Sequence, residues 1–154
     1  MGDKKVSAEY DEEQMREFTL GVLNDLQAME KMLDAGMFEE DVCRIGAEQE
    51  VFLVDQAMHP APIAMDVIER ARDGRLTTEI GLFNLEANLT AREFTGNALR
   101  EMETELNEII DKIRNVAAEL NSGVVLAGIL PTIQASDLTS DNLTPLPRYH
   151  EIDR

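Results

Sequence analysis

Four glutamates at two places in the chain have the residue type and the spacing of a divalent-cation site. Glu48 and Glu50 lie two positions apart in a run rich in β-branched and aromatic residues, which is typical of a strand. Side chains two positions apart on a strand point to the same face, about 7 Å from each other. Carboxylates that are buried together repel each other unless a cation lies between them, so this pair favours Mg²⁺ or Mn²⁺.

Glu79 and Glu86 form the second pair. Glu86 has the apolar neighbours Leu85 and Ala87, so we expect it to enter a half-buried site. Glu79 lies seven positions earlier, and on an unbroken strand this odd spacing places it on the opposite face. The two glutamates can reach one cation only if Glu79 precedes the strand or if a bulge near Gly81 resets the alternation. The alternative is a solvated sheet face, because the chain has 31 acidic residues.

The charge of the chain limits its partners. Asp and Glu total 31 and Lys and Arg total 14, which gives a formal net charge of −17. Nucleic acid and anionic membranes are held by clustered basic residues, so we expect neither as a partner. A nucleotide would arrive with a divalent cation, because the protein repels bare phosphates. Cys43 is the only cysteine, which excludes an intrachain disulfide and predicts a reducing, cytoplasmic location.

Hydrophobic periodicity predicts three helices that alternate with three strands. Asp11 and Gln14 have the spacing of a capping box, and Gly36 is a natural end for the helix that follows. This helix carries an apolar stripe that we expect to be buried: Met15, Phe18, Val22, Leu26, Met29 and Leu33. The other helices are predicted over residues 63–72 and 98–120. The strands are predicted over residues 44–55, over 77–90 with a break at Gly81, and over 123–131 as a buried strand.

The helix over residues 98–120 has the clearest periodicity. Its expected buried face consists of Leu99, Met102, Leu106, Ile109, Ile113, Val116 and Leu120. Glu101, Glu103, Glu105 and Lys112 are expected away from that face. A sheet of three strands has two edges to protect, which predicts further strands outside this chain or a homo-oligomer.

The two ends of the chain show little periodicity. Residues 1–10 are expected to form a flexible arm. Residues 132–154 are polar with chain-breaking prolines, and so long a stretch predicts a functional loop or a chain that stops inside a larger domain.

Three segments resemble one family in order. Residues 45–55 resemble the glycine–x–glutamate–x–glutamate strand that opens glutamate–cysteine ligases and related carboxylate–amine ligases. Residues 77–79 with Leu85 and Glu86 resemble the second acidic strand of that family. Residues 128–132 and 142–149 resemble its later strand and the loop that follows. The bacterial branch in which this domain is fused to CBS domains is the most similar.

The resemblance implies an α+β fold, part of a glutamine-synthetase-like antiparallel sheet packed with long amphipathic helices. Residues 11–154 would be the N-terminal part of a ligase-like catalytic domain, incomplete and inactive by itself. The reaction implied joins the γ-carboxylate of glutamate to an amine through an acyl phosphate, using ATP and Mg²⁺, as γ-glutamylcysteine synthetase does. Glu48, Glu50, Glu79 and Glu86 would be the metal ligands that hold Mg²⁺ against the ATP phosphates. No catalytic or nucleotide-contacting residue is carried over.

Two other functions stay open. One is a non-catalytic module that keeps the ligase fold and senses a metal–nucleotide complex, because CBS-fused proteins often sense adenine nucleotides. The other is an acidic oligomerising domain whose long helices pair with a second copy. Arg148 and Tyr149 are expected to anchor their loop, with contact to a substrate as the alternative.

Overall fold

A computed structural model describes residues 11–152 and divides the chain into two compact units, Met1–Cys43 and Arg44–Arg154. The predicted arm over residues 1–10 lies outside the described residues. The fold is mixed α+β with antiparallel sheets, which agrees with the α+β class that the family resemblance implies. Within residues 11–152, no helix combines the length and apolar composition needed to cross a bilayer.

The first unit contains one long helix, α1 (Glu12–Asp34). The carboxylate of Asp11 accepts a hydrogen bond from the backbone N–H of Gln14 at 2.8 Å, and the Gln14 side chain accepts one from the Asp11 N–H at 3.2 Å. At the other end Gly36 has a φ of 62°, and its N–H donates to the Leu33 carbonyl while Met37 donates to Met32. Both predicted ends of α1 are therefore confirmed, because each is set by local hydrogen bonds.

The expectation that the apolar stripe of α1 is buried is wrong. No residue of α1 is buried, and Phe18 and Leu33, near the two ends of the stripe, are 67% and 61% exposed. Periodicity specifies which face of a helix is apolar, whereas burial needs a second element against that face. The described residues of this unit contain no second helix or strand that could supply it.

The second unit contains all the strands that the structure describes. They are β1 (Arg44–Ile45), β2 (Glu48–Val54), β3 (Leu76–Thr78), β4 (Asn84–Asn88), β5 (Arg92–Glu93) and β6 (Gly123–Val125). β1 pairs with β5, and the others form one antiparallel sheet in the order β3-β4-β2-β6. The helices of this unit are α2 (Ala64–Ala71), α3 (Ala98–Glu119) and α4 (Pro147–Ile152).

The predicted strands differ from the observed ones in three places. Residues 44–55 form two strands in different sheets, because the pairing stops at Gly46 and Ala47. The break near Gly81 is confirmed, but it separates two strands that pair with each other as a hairpin. The strand over residues 123–131 ends at Val125 and lies at a sheet edge, with Ile129 74% exposed. Residues 132–154 include two short 3₁₀ turns and α4.

The two faces of the four-stranded sheet have different neighbours. Val51, Leu53, Leu85 and Ala87 point to the face that packs against α2 and α3, where they form the main core with Ile109 and others. The alternate residues Phe52 and Val54 point to the opposite face and form a smaller cluster with Phe83 and Leu130. Glu50 and Glu86 are also on this second face, next to the smaller apolar cluster but not part of it.

The predicted face of α3 is partly wrong. Leu99 is 60% exposed, whereas Glu105 is only 8% exposed. The Glu105 carboxylate accepts hydrogen bonds from the Arg92 side chain at 2.6 Å and from the hydroxyl of Thr90 at 2.8 Å. It also accepts one from Arg75 at 3.3 Å. A glutamate can occupy a buried position only with such partners, and no helical period reveals partners on distant segments of the chain.

Asp73 extends this ion-pair network. Its carboxylate accepts two hydrogen bonds from Arg75, at 2.9 and 2.8 Å, and one from Lys112 of α3 at 2.7 Å. The Arg75 hydrogen bonds hold the pKa of Asp73 well below its usual range, and Lys112 adds to this effect. Burial by itself raises the pKa of Glu105, but the hydrogen bonds from Thr90 and Arg75 outweigh it and lower the pKa overall.

The free energy of unfolding is expected to decrease in acid. A carboxyl whose pKa is lowered in the folded state stabilises that state above its unfolded pKa of about 4, and the stabilisation is lost as the pH falls toward the folded value. Urea unfolding between about pH 6 and pH 2 should show this loss, and the free energy of unfolding of Asp73→Asn should depend less steeply on pH. The exposed Asp111, whose ion pair among the described residues is with Arg114, supplies the control Asp111→Asn. If the free energy of unfolding depended equally on pH in Asp73→Asn and Asp111→Asn, the loss of stability in acid would not come from Asp73.

Candidate metal centre

Three of the four predicted glutamates converge on the second face of the sheet. Glu50, Glu79 and Glu86 each offer a carboxylate oxygen, and these oxygens all lie within 4.8 Å of one another. Glu50 is exposed, while Glu79 and Glu86 are half-buried. We call these three residues the carboxylate cluster.

Antiparallel register brings the cluster together. Glu50 of β2 is directly opposite Glu86 of β4, and Glu86 is opposite Thr77 of β3. Residues directly opposite each other on one sheet face have Cβ atoms about 5 Å apart. Glu79 comes two positions after Thr77, just past the end of β3. Its side chain therefore reaches the same face of the sheet as Glu86, from the side on which β3 lies. Glu79 thus precedes the strand that carries Glu86, which is one of the two arrangements that the odd spacing required.

Hydrogen bonds fix the orientation of Glu86. Its Oε1 accepts from the Asn88 amide at 2.7 Å and from the Thr77 hydroxyl at 3.1 Å. The Asn88 amide also donates to the Thr77 hydroxyl oxygen at 3.1 Å. The sequence pattern predicts that Asn88 shares a face with Glu86, but it misses Thr77, because only the strand pairing shows that the two lie opposite.

Gly81 allows the chain to turn between β3 and β4. A Cβ atom at this position would lie 3.1 Å from the ring of Phe83, which is closer than an ordinary contact. Without a side chain at Gly81, the Phe83 ring packs over the backbone and is only 7% exposed. The turn can therefore stay compact next to Glu79.

The pKa of Glu79 reflects its neighbours. Burial raises the pKa of Glu79 above the usual value for a glutamate, and the carboxylates of Glu86 and Glu50 raise it further. Three carboxylates this close repel one another, so a proton or a cation that enters the cluster relieves the repulsion.

Glu48 is not part of the cluster. It lies on the same strand face as Glu50, but it is opposite Asn88, one pair of positions farther along the sheet. Its side chain lines a separate small cavity with Gly46 and Asn88. The structure therefore brings together three of the four predicted ligands. Glu48 and Glu50 lie on one strand and stay about 7 Å apart, whereas the pairing of different strands places Glu50, Glu79 and Glu86 close together.

A larger cavity adjoins the cluster. It has a volume of about 530 Å³, and its walls include Glu50, Glu79, Phe52, Phe83 and Asn84. The Oδ1 atom of Asn84 is buried and accepts no hydrogen bond within the described part of the chain. Asn84 is not among the residues predicted for the site, although its place two positions before Glu86 puts both side chains on the same face of the strand.

The cluster has the donor chemistry of a hard divalent cation. Mg²⁺ and Mn²⁺ prefer carboxylate oxygens, and Mg²⁺ binds them at about 2.1 Å, so two oxygens on one Mg²⁺ are at most about 4.2 Å apart. Oxygens within 4.8 Å need only a small rotation of the glutamate side chains to meet this limit. The residues present thus fit a Mg²⁺ or Mn²⁺ ion.

Comparison with known proteins adds no assignment. The chain matches no protein-family model, no curated protein and no solved structure.

Proposed function

We propose that the chain is part of an ATP- and Mg²⁺-dependent ligase that joins the γ-carboxylate of glutamate to an amine. The observation that carries this proposal is the convergence of Glu50, Glu79 and Glu86 at one point of the sheet. These three glutamates belong to the motifs that resemble the carboxylate–amine ligases. The proposal includes the finer fold, in which the antiparallel sheet is part of a glutamine-synthetase-like sheet.

The overall reaction sets the task of the site. An oxygen of the glutamate γ-carboxylate attacks the γ-phosphorus of ATP, and ADP leaves with the electrons of the broken P–O bond. The amine nitrogen then attacks the acyl carbon, inorganic phosphate leaves, and the nitrogen loses a proton. A Mg²⁺ ion bound with ATP would supply positive charge against the phosphate oxygens.

The residues of this chain would position that charge. Glu50 and Glu86, which face each other across β2 and β4, would hold the cation from one side, and Glu79 would hold it from the end of β3. Asn88 and Thr77 hold Oε1 of Glu86, so the carboxylate is oriented before a ligand arrives. A preoriented carboxylate needs less rearrangement when the charged ligand binds.

Two measurements test the proposal. Calorimetric titration of the 154-residue chain with Mg²⁺ and ATP is expected to show nucleotide binding that EDTA abolishes. The whole encoded protein, given glutamate and a panel of amines, is expected to release ADP and form a γ-glutamyl amide detectable by mass spectrometry. Metal-dependent nucleotide binding without amide formation would instead indicate a metal–nucleotide-binding module. If neither Mg²⁺ nor ATP binds, the proposal is wrong.

A further inference from the structure

The loop between β6 and α4 is held against the turn that joins β3 to β4. The N–H of Leu82 donates to the Asn142 carbonyl at 2.8 Å. The fully buried Thr144 donates through its N–H to the Ile80 carbonyl at 2.8 Å and through its hydroxyl to the Glu79 carbonyl. The cavity of about 530 Å³ beside the carboxylate cluster is lined by both of these segments, so its two sides are fixed to each other.

Tyr149 anchors the end of the same loop. Its side chain is 4% exposed, and its hydroxyl donates to the carbonyl of Thr78 at 3.1 Å. This bond agrees with the expectation that Tyr149 anchors its loop. The polar segment before α4 is therefore tied to the end of β3, next to the residue that carries the third carboxylate of the cluster.

The cavity is open to solvent and has the size of a small-molecule site. Glu50, Ile80 and Leu138 on its walls are exposed, so a ligand in solution can reach it. Sites for small organic molecules have volumes of about 300–1,000 Å³ and combine apolar walls with a few polar groups. The observed volume and the mixture of wall residues both match this description.

The walls of the cavity combine aromatic rings with carboxylates. Phe52 and Phe83 line it, and so do the acidic residues Glu50, Glu79 and Asp137. Among the described residues, no lysine, arginine or histidine lines it. Carboxylates attract an ammonium group, and the face of an aromatic ring attracts it as well while also packing against apolar groups.

Asp137 supplies a carboxylate that lies outside the cluster. It ends the 3₁₀ turn Ala135–Asp137, and the N–H of Gln134 donates to its Oδ2 atom at 2.8 Å. No basic side chain in the described part of the chain pairs with it. A Mg²⁺ ion in the cluster offsets two of its three negative charges, so with Asp137 the walls of the cavity remain negative after the metal has bound.

We propose that this cavity binds a primary amine, as its ammonium ion, that has an apolar substituent and no carboxylate. The ammonium group lies against the carboxylates, and the substituent packs against Phe52 and Phe83. A carboxylate on the same ligand would face Glu50, Glu79 and Asp137 with no basic residue to balance its charge. Because like charges placed together are repelled, the site discriminates against α-amino acids.

The role of this ligand as the acceptor amine rests on the proposed function. Glu50 and Glu79 belong both to the cavity and to the carboxylate cluster, so the amine is held next to the proposed metal site. The bound ammonium first releases one proton to water, which leaves the lone pair that attacks the acyl carbon. The acceptor is then a simple apolar amine rather than an amino acid such as cysteine.

Three probes that share a phenyl group test the proposal. 2-Phenylethylamine carries the ammonium group, L-phenylalanine adds a carboxylate to it, and 2-phenylethanol replaces the ammonium group with a hydroxyl. Each is titrated into the 154-residue chain in Mg²⁺, with the backbone amide resonances of Gly81 and Leu138 as the readout. The amine is expected to shift both resonances with a Kd at least tenfold lower than that of either other probe. Equal affinity for the amine and another probe, or no shift with the amine, overturns the proposal.

A pair of variants separates the cavity from general charge. Asp137→Asn keeps an oxygen that can accept from the Gln134 N–H, and it is expected to weaken 2-phenylethylamine binding at least fivefold. Asp141→Asn removes the same charge from an exposed position of the same loop that does not line the cavity, and it should change the affinity less than twofold. Equal weakening in the two variants overturns the proposal.

The same titrations distinguish this inference from the proposed function. If the chain binds 2-phenylethylamine in the cavity but binds neither Mg²⁺ nor ATP, the proposed function fails and the amine site stands. If the chain binds Mg²⁺ and ATP but not 2-phenylethylamine, the amine site is wrong and the proposed function stands.

Discussion

Glu86→Gln is expected to weaken Mg²⁺ binding at least about 100-fold, which corresponds to about 2.7 kcal/mol of binding free energy. Glutamine keeps the shape of the side chain and an oxygen that can accept from Asn88 and Thr77, so the change removes charge while preserving the local hydrogen bonds. The loss of one negative charge from a three-carboxylate set reduces the attraction for a divalent cation directly. Isothermal titration with Mg²⁺ alone measures the effect.

Two further variants sharpen this experiment. Glu103→Gln removes an exposed charge on α3 and is expected to leave Mg²⁺ affinity unchanged, which controls for net charge. Glu48→Gln tests the fourth predicted ligand: a loss as large as that of Glu86→Gln would add Glu48 to the site, although it lies outside the cluster. A thermal melt supplies a second readout, because Mg²⁺ should raise the Tm of the wild type and not that of Glu86→Gln. Equal Mg²⁺ affinity in wild type and Glu86→Gln would exclude the cluster as the site.

Glu105→Leu is expected to lower the free energy of unfolding by about 3 kcal/mol and the Tm by about 10 °C. The substitution leaves Arg92 without its 2.6 Å partner and Arg75 without its bond to α3. It also removes the acceptor for the N–H and hydroxyl of Thr90. When one partner of a buried ion pair is removed, the remaining charge loses its compensation, which destabilises more than loss of the whole pair.

Glu105→Gln supplies the intermediate case for this prediction. An amide oxygen can still accept from Thr90, so we expect a smaller loss of stability than for Glu105→Leu. Glu103→Gln, an exposed position on the same helix, should change the free energy of unfolding by no more than about 0.5 kcal/mol. Urea unfolding with a common m-value measures all three variants. A leucine variant as stable as the wild type would show that the network does not hold α3 to the strands.

Features that depend on neighbouring residues could be predicted from the sequence. The ends of α1 follow from Asp11, Gln14 and Gly36, because the bonds that cap a helix join residues within one turn. The face shared by Glu48 and Glu50 follows from the alternation of a strand. The break at Gly81 follows from the residue type, since a glycine inside a strand pattern marks a bend or a close approach of the backbone, and here a Cβ atom would lie 3.1 Å from the Phe83 ring.

Features that depend on residues far apart in the chain were decided by the tertiary structure. Glu79 joins Glu50 and Glu86 because β3 and β4 pair as a hairpin and β4 pairs with β2, and no local period contains that register. The same physical reason applies to Glu105, whose burial depends on Arg75, Arg92 and Thr90 from other segments. The apolar stripe of α1 shows the converse, since the sequence determines an apolar face, but only a packing partner can bury it.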